Sequence, residues 1–263
     1  MPPDPRPGYL LQAGLMGYQE ARDLQRHLAA ARAAGRIPDT LLLLEHPHTY
    51  TLGRSASEAH LLVGAAERAA RGIGLFHVDR GGDITYHGPG QLVGYPILYL
   101  GRPGNDGHLP RVDYVGYLRR LEAALIRALA GWGLVAERLP GYTGVWVRTP
   151  EPVKIAAIGV RVDARGVSQH GFALNVCPDL SYFEGIIPCG IHDRGVGSMA
   201  RLLDRPLAVD AVRPSVAEQF AAEFGLEWQA RSVEEISPLF ERRQAPAQGT
   251  RSRPRRFSKP PRS

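Results

Sequence analysis

Lysine is almost missing from this chain of 263 residues. Against 30 arginines it has two lysines, Lys154 and Lys259. An amine able to release its proton is therefore rare, because arginine stays charged in proteins. Cysteine is equally scarce, with Cys177 and Cys189 alone. Two thiols exclude a disulfide-stapled scaffold and predict a reduced, cytoplasmic setting. Long apolar runs are absent too. The longest, residues 41–44 and 156–160, are strand-sized, far short of the roughly 20 residues of a membrane helix. The opening MPPDPRPGYL puts proline and acid where an export signal needs a basic and then a greasy stretch, so neither signal peptide nor membrane attachment is expected.

Several chemical signatures are also lacking. There is no CxxC, no HExxH and no carboxylate-rich loop. His46, His48, His87, His170 and His192 do not combine with the cysteines into a metal-ligand spacing, so no metal is expected. GxSxG, GxxxxGK[ST] and GxGxxG do not occur, which argues against a serine-hydrolase elbow, a phosphate loop and a dinucleotide fingerprint. No cofactor is expected. Helix-turn-helix, zinc-finger and ribonucleoprotein-motif spacings are missing, so no specific nucleic-acid binding is expected.

What is present is a globular composition. Hydrophobic residues make up 44% of the chain, enough for a large core in one large domain or two small ones. With 30 glycines and 22 prolines, many turns are expected. The net charge of +6 is misleading. Residues 241–263 hold eight basic residues and one acid, or +7, which leaves the preceding 240 at −1. That segment has one aromatic, Phe257, and cannot form a core. The expected division is a body over residues 1–230 and an extension over 231–263, disordered from about 241. The basic tail reads as solubilising or dispensable, with contact to nucleic acid or an acidic protein as the alternative.

Periodicity predicts helices over residues 15–34, 58–71, 112–130 and 215–224, with strands over 40–44, 75–78, 92–100, 134–137, 145–147, 154–163 and 166–176. Val112, Val115, Leu118, Leu121, Leu125 and Leu129 form one apolar stripe, read as packing. Pro96 marks 92–100 as an edge or bulged strand. Residues 154–163 and 166–176 read as a hairpin, so the fold is α/β with a sheet that is not purely parallel. A boundary near residue 212 has only slight support.

Three places carry possible chemistry. Lys154, the sole lysine outside the tail, heads the apolar strand KIAAIGVRV. On composition alone it reads equally as a functional amine or a drifted surface residue. Cys189 lies in IIPCGI between proline and glycine, where a tight turn brings backbone amides near; it is either a nucleophile or a small buried hydrophobe. An ammonium beside it would favour the thiolate. Cys177, before Pro178, reads as structural. The third place is RGGDITYHGPGQLVGY, residues 80–95, read as either a turn-rich hairpin or the wall of a ligand slot.

Six segments in order carry a family resemblance: HPHTYTLG at 46–53, RGGDITYHGPGQLVGY at 80–95, GYTGVWV at 141–147, KIAAIGVRV at 154–162, GVSQHGFALNV at 166–176 and IIPCGI at 186–191. Together they resemble the lipoyl(octanoyl) transferases, the octanoyl-[acyl-carrier-protein]–protein N-octanoyltransferases, over roughly residues 15–230. The resemblance implies an α/β, mixed-sheet domain of the biotin/lipoate protein ligase type. It implies a monomer that moves an octanoyl group from acyl carrier protein to a lysine of lipoyl domains. Those domains belong to 2-oxoacid dehydrogenase complexes and the glycine cleavage carrier protein. It further implies an acyl-enzyme on Cys189, with Lys154 as its catalytic partner. Substrate contacts would fall on Arg80, Gly81, Gly82, Asp83, Ile84, Thr85, Tyr86 and His87, on Ala157, Ile158 and Gly159, and on Gly171, Phe172 and Ala173, with His170 in support. Exchange of one thioester for another needs no ATP. The rivals are an ATP-using lipoate or biotin ligase, whose RRxxGGGxVxHD or GRGRxGR loops are missing here, and a carrier-protein-binding module with an inert cysteine.

Overall fold

The structure is a computed structural model, and it describes residues 4–101, 113–187 and 195–240. Cys189, His192, Lys259 and the basic tail lie outside the described residues. In chain order the elements are β1 (Arg6–Leu15), α1 (Tyr18–Ala33), β2 (Asp39–Glu45), β3 (Thr49–Leu52), α2 (Ala65–Ala70), β4 (Gly74–His77), β5 (Ile84–His87), β6 (Gln91–Ile97), α3 (Tyr114–Ala130), β7 (Ala136–Leu139), β8 (Tyr142–Val147), β9 (Val153–Val162), β10 (Ser168–Asn175), β11 (Gly195–Val196), α4 (Met199–Leu202), α5 (Val209–Phe224), β12 (Leu226–Arg231) and α6 (Val233–Ile236).

The large sheet runs β12-β1-β2-β6-β10-β9-β8-β7, with β11 added beside β9. The β1 strand pairs in parallel with both β12 and β2, whereas β2–β6–β10–β9–β8–β7 is antiparallel throughout. The mixed sheet follows from its sequence. The leucines of β2 alternate, Leu41 and Leu43 entering one core and Leu42 and Leu44 the other. A strand buried on both faces is continuously apolar. One face is covered by α3 and α5, which bring Leu121, Leu125, Leu129, Val212, Val216 and Phe220. The other face is covered by α1, with Ala21, Leu24 and Leu28. A small sheet, β4-β3-β5, packs its own core from Tyr50, Leu52, Ile84 and Tyr86.

The expected hairpin is β9–β10, paired from Ser168↔Val162 to Leu174↔Ala156. Other expectations need correction. The segment 58–71 is not one helix; a 3-10 turn over Glu58–His60 precedes α2, and Gly64 lies between them. The sixth strand is central, bonded to β2 and β10, so Pro96 does not mark an edge. The β6–β10 ladder stops at Gly94, before Pro96 would have to donate, and β10 turns through His170 at φ 57. Neither expectation for Pro96 is observed: β6 is not an edge, and its register is unshifted, with Leu41↔Pro96 in step with β2 and the ladder to β10 only interrupted around the proline. The late helix begins six residues early, at Val209, and runs through the suggested boundary near 212 with Pro214 inside it. In α3 the buried stripe holds at Leu121, Leu125 and Leu129, but Val115 is exposed. Among the described residues, no helix is long and apolar enough to cross a membrane.

Candidate functional site

The two sheets meet around a cavity. Strand alternation decides which side chains reach it. On β5, Ile84 and Tyr86 turn into the small-sheet core, while Thr85 and His87 face the cavity. Opposite lie the pairs Ala157↔Ala173 and Gly159↔Gly171 of β9 and β10. Small residues there leave the space that larger ones would fill. A Cβ on Gly159 would stand 3.0 Å from both Arg80 Cδ and the Gly81 carbonyl. The bend before β5 is tied down by Gly81 N–H donating to the Val160 carbonyl at 3.0 Å.

Around this cavity the structure gathers Arg80, Gly81, Gly82, Thr85 and His87 from one side, and Ala157, Ile158, Gly159, His170, Gly171, Phe172 and Ala173 from the other. Ile84 and Tyr86 do not line it, and Asp83 faces a neighbouring cleft. Tyr18 lines it, and so does Tyr95, the last residue of the 80–95 stretch; neither is among the expected substrate contacts. Tyr18 opens α1 and Tyr95 sits in the buried strand QLVGYPI, so each looks like ordinary core until the elements are assembled.

Arg80 is buried, its Nη2 donating to the Thr51 carbonyl at 2.7 Å and to Thr51 Oγ1 at 2.8 Å. His170 Nε2 donates to Asp79 at 3.0 Å, and Arg161 also pairs with Asp79. The His170 hydrogen bond is the main reason the Asp79 carboxyl lies well below its usual range. Three imidazoles at the cavity or just behind it, His46, His87 and His170, are pushed down, in each case chiefly by burial, His46 to about 4. They are neutral at neutral pH.

Lys154 is buried at the junction of two further spaces. One, a small space, shares Thr85, Ala157 and Ala173 with the central cavity. The other, a cleft of about 1630 Å³, shares Gly81, Gly82, Ile158 and Gly159 with it. Lys154 lines both. Its Nζ lies 5.0 Å from the Trp146 ring centroid. Its carbonyl accepts from Gly197 N–H at 3.0 Å. The chain entering and leaving residues 188–194 is anchored close by. Ile187 N–H donates to the His60 carbonyl at 2.8 Å, and Val196 pairs with Lys154. Cys177 lies elsewhere, exposed on a cleft with Asp179 and Arg201. Desolvation and then Glu45 push its thiol up, opposite to what an attacking thiolate needs. Among the described residues no group of three or more His, Cys, Asp or Glu side chains is placed to hold a metal ion.

The lipoyl protein ligase A/B catalytic domain profile matches residues 17–221. An octanoyltransferase of Chloroflexus aurantiacus is 52% identical over 215 residues, 81% of this chain and 92% of that protein. An octanoyltransferase of Synechococcus elongatus is 47% identical over 232 residues, 88% of this chain and 93% of that one. Among solved structures, a bipartite lipoate protein ligase of Thermoplasma acidophilum superposes with a TM-score of 0.67 at 19% identity, covering 89% of this chain and 91% of that one. Lipoate-protein ligase A bound with ATP superposes at 0.66 and 17% identity, covering 89% and 92%. Both structural likenesses are of fold.

Proposed function

The chain belongs to the lipoyl protein ligase A/B catalytic domain family and is an acyltransferase, and from that premise we propose that it carries an octanoyl group from acyl carrier protein to a lysine of lipoyl domains through a thioester on Cys189. The observation that carries the reading is the identity near 50% to octanoyltransferases along nearly their whole length. The cavity supports it, being narrow, walled by Ala, Gly, Ile and Phe, and adjacent to the one lysine of the body.

The chemistry runs in two balanced halves. The Cys189 thiolate attacks the donor thioester carbonyl, the new C–S bond forms, and the carrier thiolate leaves and takes a proton. The acceptor amine then attacks the acyl-cysteine, an amide forms, and Cys189 is released as thiolate while the amine's extra proton departs. Lys154 holds a positive charge for the thiolate and passes protons between the halves. Arg80, Gly81, Gly82, Asp83, Ile84, Thr85, Tyr86, His87, Ala157, Ile158, Gly159, Gly171, Phe172 and Ala173 form the substrate-binding set, the central cavity taking the acyl chain. In it Asp83 serves from the neighbouring cleft, and Ile84 and Tyr86 serve by holding β5. His170 supports the wall through Asp79. Each methylene buried there is worth roughly 0.8 kcal/mol. The catalytic unit spans residues 1–230 and acts as a cytoplasmic monomer on lipoyl domains of 2-oxoacid dehydrogenase complexes and the glycine cleavage carrier. Residues 231–263 are an extension, of which Ile236 still packs against the α1 core.

Intact mass after incubation with octanoyl-acyl carrier protein, without ATP, tests this. The expected result is one octanoyl adduct on the wild type, none on Cys189→Ala, and passage of the group to an added lipoyl domain. Cys177→Ser should retain most activity. Lys154→Arg should lose roughly 100-fold or more, since arginine keeps the charge but cannot release a proton. Acceptor modification that requires ATP and free octanoate would overturn the reading in favour of a ligase.

A further inference from the structure

The central cavity is apolar along its walls and polar at one end. Its residues shared with the spaces around Lys154 are Thr85, Ala157 and Ala173 on one side and Gly81, Gly82, Ile158 and Gly159 on the other. Besides Arg80, Gly171 and Phe172, the residues in neither shared set are Tyr18, His87, Tyr95 and His170, and all four are buried. Behind them lies His46, fully buried. Its Nδ1–H donates to the Met16 carbonyl at 2.8 Å, and its Nε2 accepts from the Tyr95 hydroxyl at 2.7 Å. The Tyr18 ring lies 5.0 Å from the His46 ring and 6.0 Å from the His87 ring. Among the described residues, His87 Nδ1 is buried with no hydrogen-bond partner.

We propose that this phenol–imidazole cluster is the stop that measures the acyl chain. The inference rests on the reading that an acyl chain occupies the cavity, and it names the residues that set the length. From Ala173, beside the Lys154 space, to His170 is three strand positions, or roughly 10 Å. Seven C–C bonds of about 1.5 Å advance roughly 9 Å in zigzag. An eight-carbon chain therefore ends at the cluster. A longer chain must displace the Tyr18 ring or part the Tyr95–His46 hydrogen bond, leaving buried polar atoms unpaired. Burial keeps the cluster's own phenol and imidazoles neutral, with the imidazoles pushed down and Tyr18 pushed up to about 12; the cation beside them is Arg80, held on Thr51.

The test is calorimetric binding of straight-chain carboxylates, hexanoate to tetradecanoate, to the full chain, with thioester transfer scored in parallel. In the wild type, affinity should climb to octanoate and break soon after. In Tyr18→Ala the break should move about two carbons longer, with the decanoate-to-octanoate ratio rising on the order of tenfold. Tyr18→Phe, which keeps the ring, should leave the break in place. Tyr95→Phe, which removes only the hydroxyl, should soften the break and serves if Tyr18→Ala does not fold. Affinity that climbs unbroken to tetradecanoate in the wild type, or a break unmoved in both Tyr18→Ala and Tyr95→Phe, overturns the stop. A length break without transfer from any thioester keeps the stop and rejects octanoyl transfer. Transfer without a break does the reverse.

Discussion

Glu122 shows how far a single side chain can reach without any trace in local sequence. It sits on α3 with no exposure, one oxygen taking Arg119 at 2.7 Å and Arg138 at 2.9 Å, the other accepting from Gly144 N–H at 3.2 Å. That carboxylate joins α3 to the start of β8, whose Trp146 pairs with Lys154. Glu122→Ala should cost about 2 kcal/mol, since it orphans a buried amide and removes two charge-assisted bonds whose cations keep access to water. Urea unfolding measures this, and an unchanged midpoint would show the carboxylate to be dispensable. Lys154 was legible because composition isolates it, and the 80–87 stretch because its residue mix is unusual. Tyr18 and Glu122 were not. Each is a plausible helix or strand residue, and its significance comes from partners brought near by the assembled sheet.

Elements were legible where one periodicity ran unbroken. The α1 helix, the α3 stripe from Leu121 to Leu129 and the β9–β10 hairpin show it, and β2 was legible as a short continuous apolar run. Two short strands beside turns were not: β3 and β5 have four residues each and lie within glycine- and histidine-rich stretches. The parallel partners β1 and β12 are some 220 positions apart and cannot announce each other locally. The connection between α5 and β12 depends on Gly225, which caps the helix in the left-handed region at φ 61 and ψ 49 and whose carbonyl accepts from Arg6 N–H at 2.9 Å. Nothing lies within 4 Å of a Cβ placed there. Gly225→Ala should therefore lose about 1 kcal/mol from backbone conformation alone. Gly225→Asn should lose less, because asparagine visits that region more readily. Equal losses in the two variants, measured by urea unfolding, would point to a different origin.

At the scale of the molecule, the charge ledger says little about the site, since the body is near neutral and the excess lies in the tail. What the folded body does carry is a set of imidazoles held neutral. His46, His87 and His170 all lie below their ordinary value because burial penalises the cation; Asp79 partly offsets this for His170, and His46 adds to it for His87. In the unfolded chain each takes up a proton near pH 6.5, whereas folded His46 waits until about 4. Between those values the unfolded state binds more protons, so stability is complete above pH 6.5 and drains as pH falls. His46 alone should cost about 2 kcal/mol by pH 5, fully buried as it is. The two other imidazoles act with the same sign. Asp79 acts in a different window. Its depressed carboxyl contributes stability above the ordinary carboxylate range and loses it only in stronger acid. Unfolding free energy in urea should therefore fall steeply from pH 7 to pH 5, and His46→Gln, less stable at pH 7, should show a shallower fall. Parallel curves for the two proteins would mean that His46 takes up its proton in the fold as readily as in the open chain, and the neutral imidazole behind the cavity would go with it.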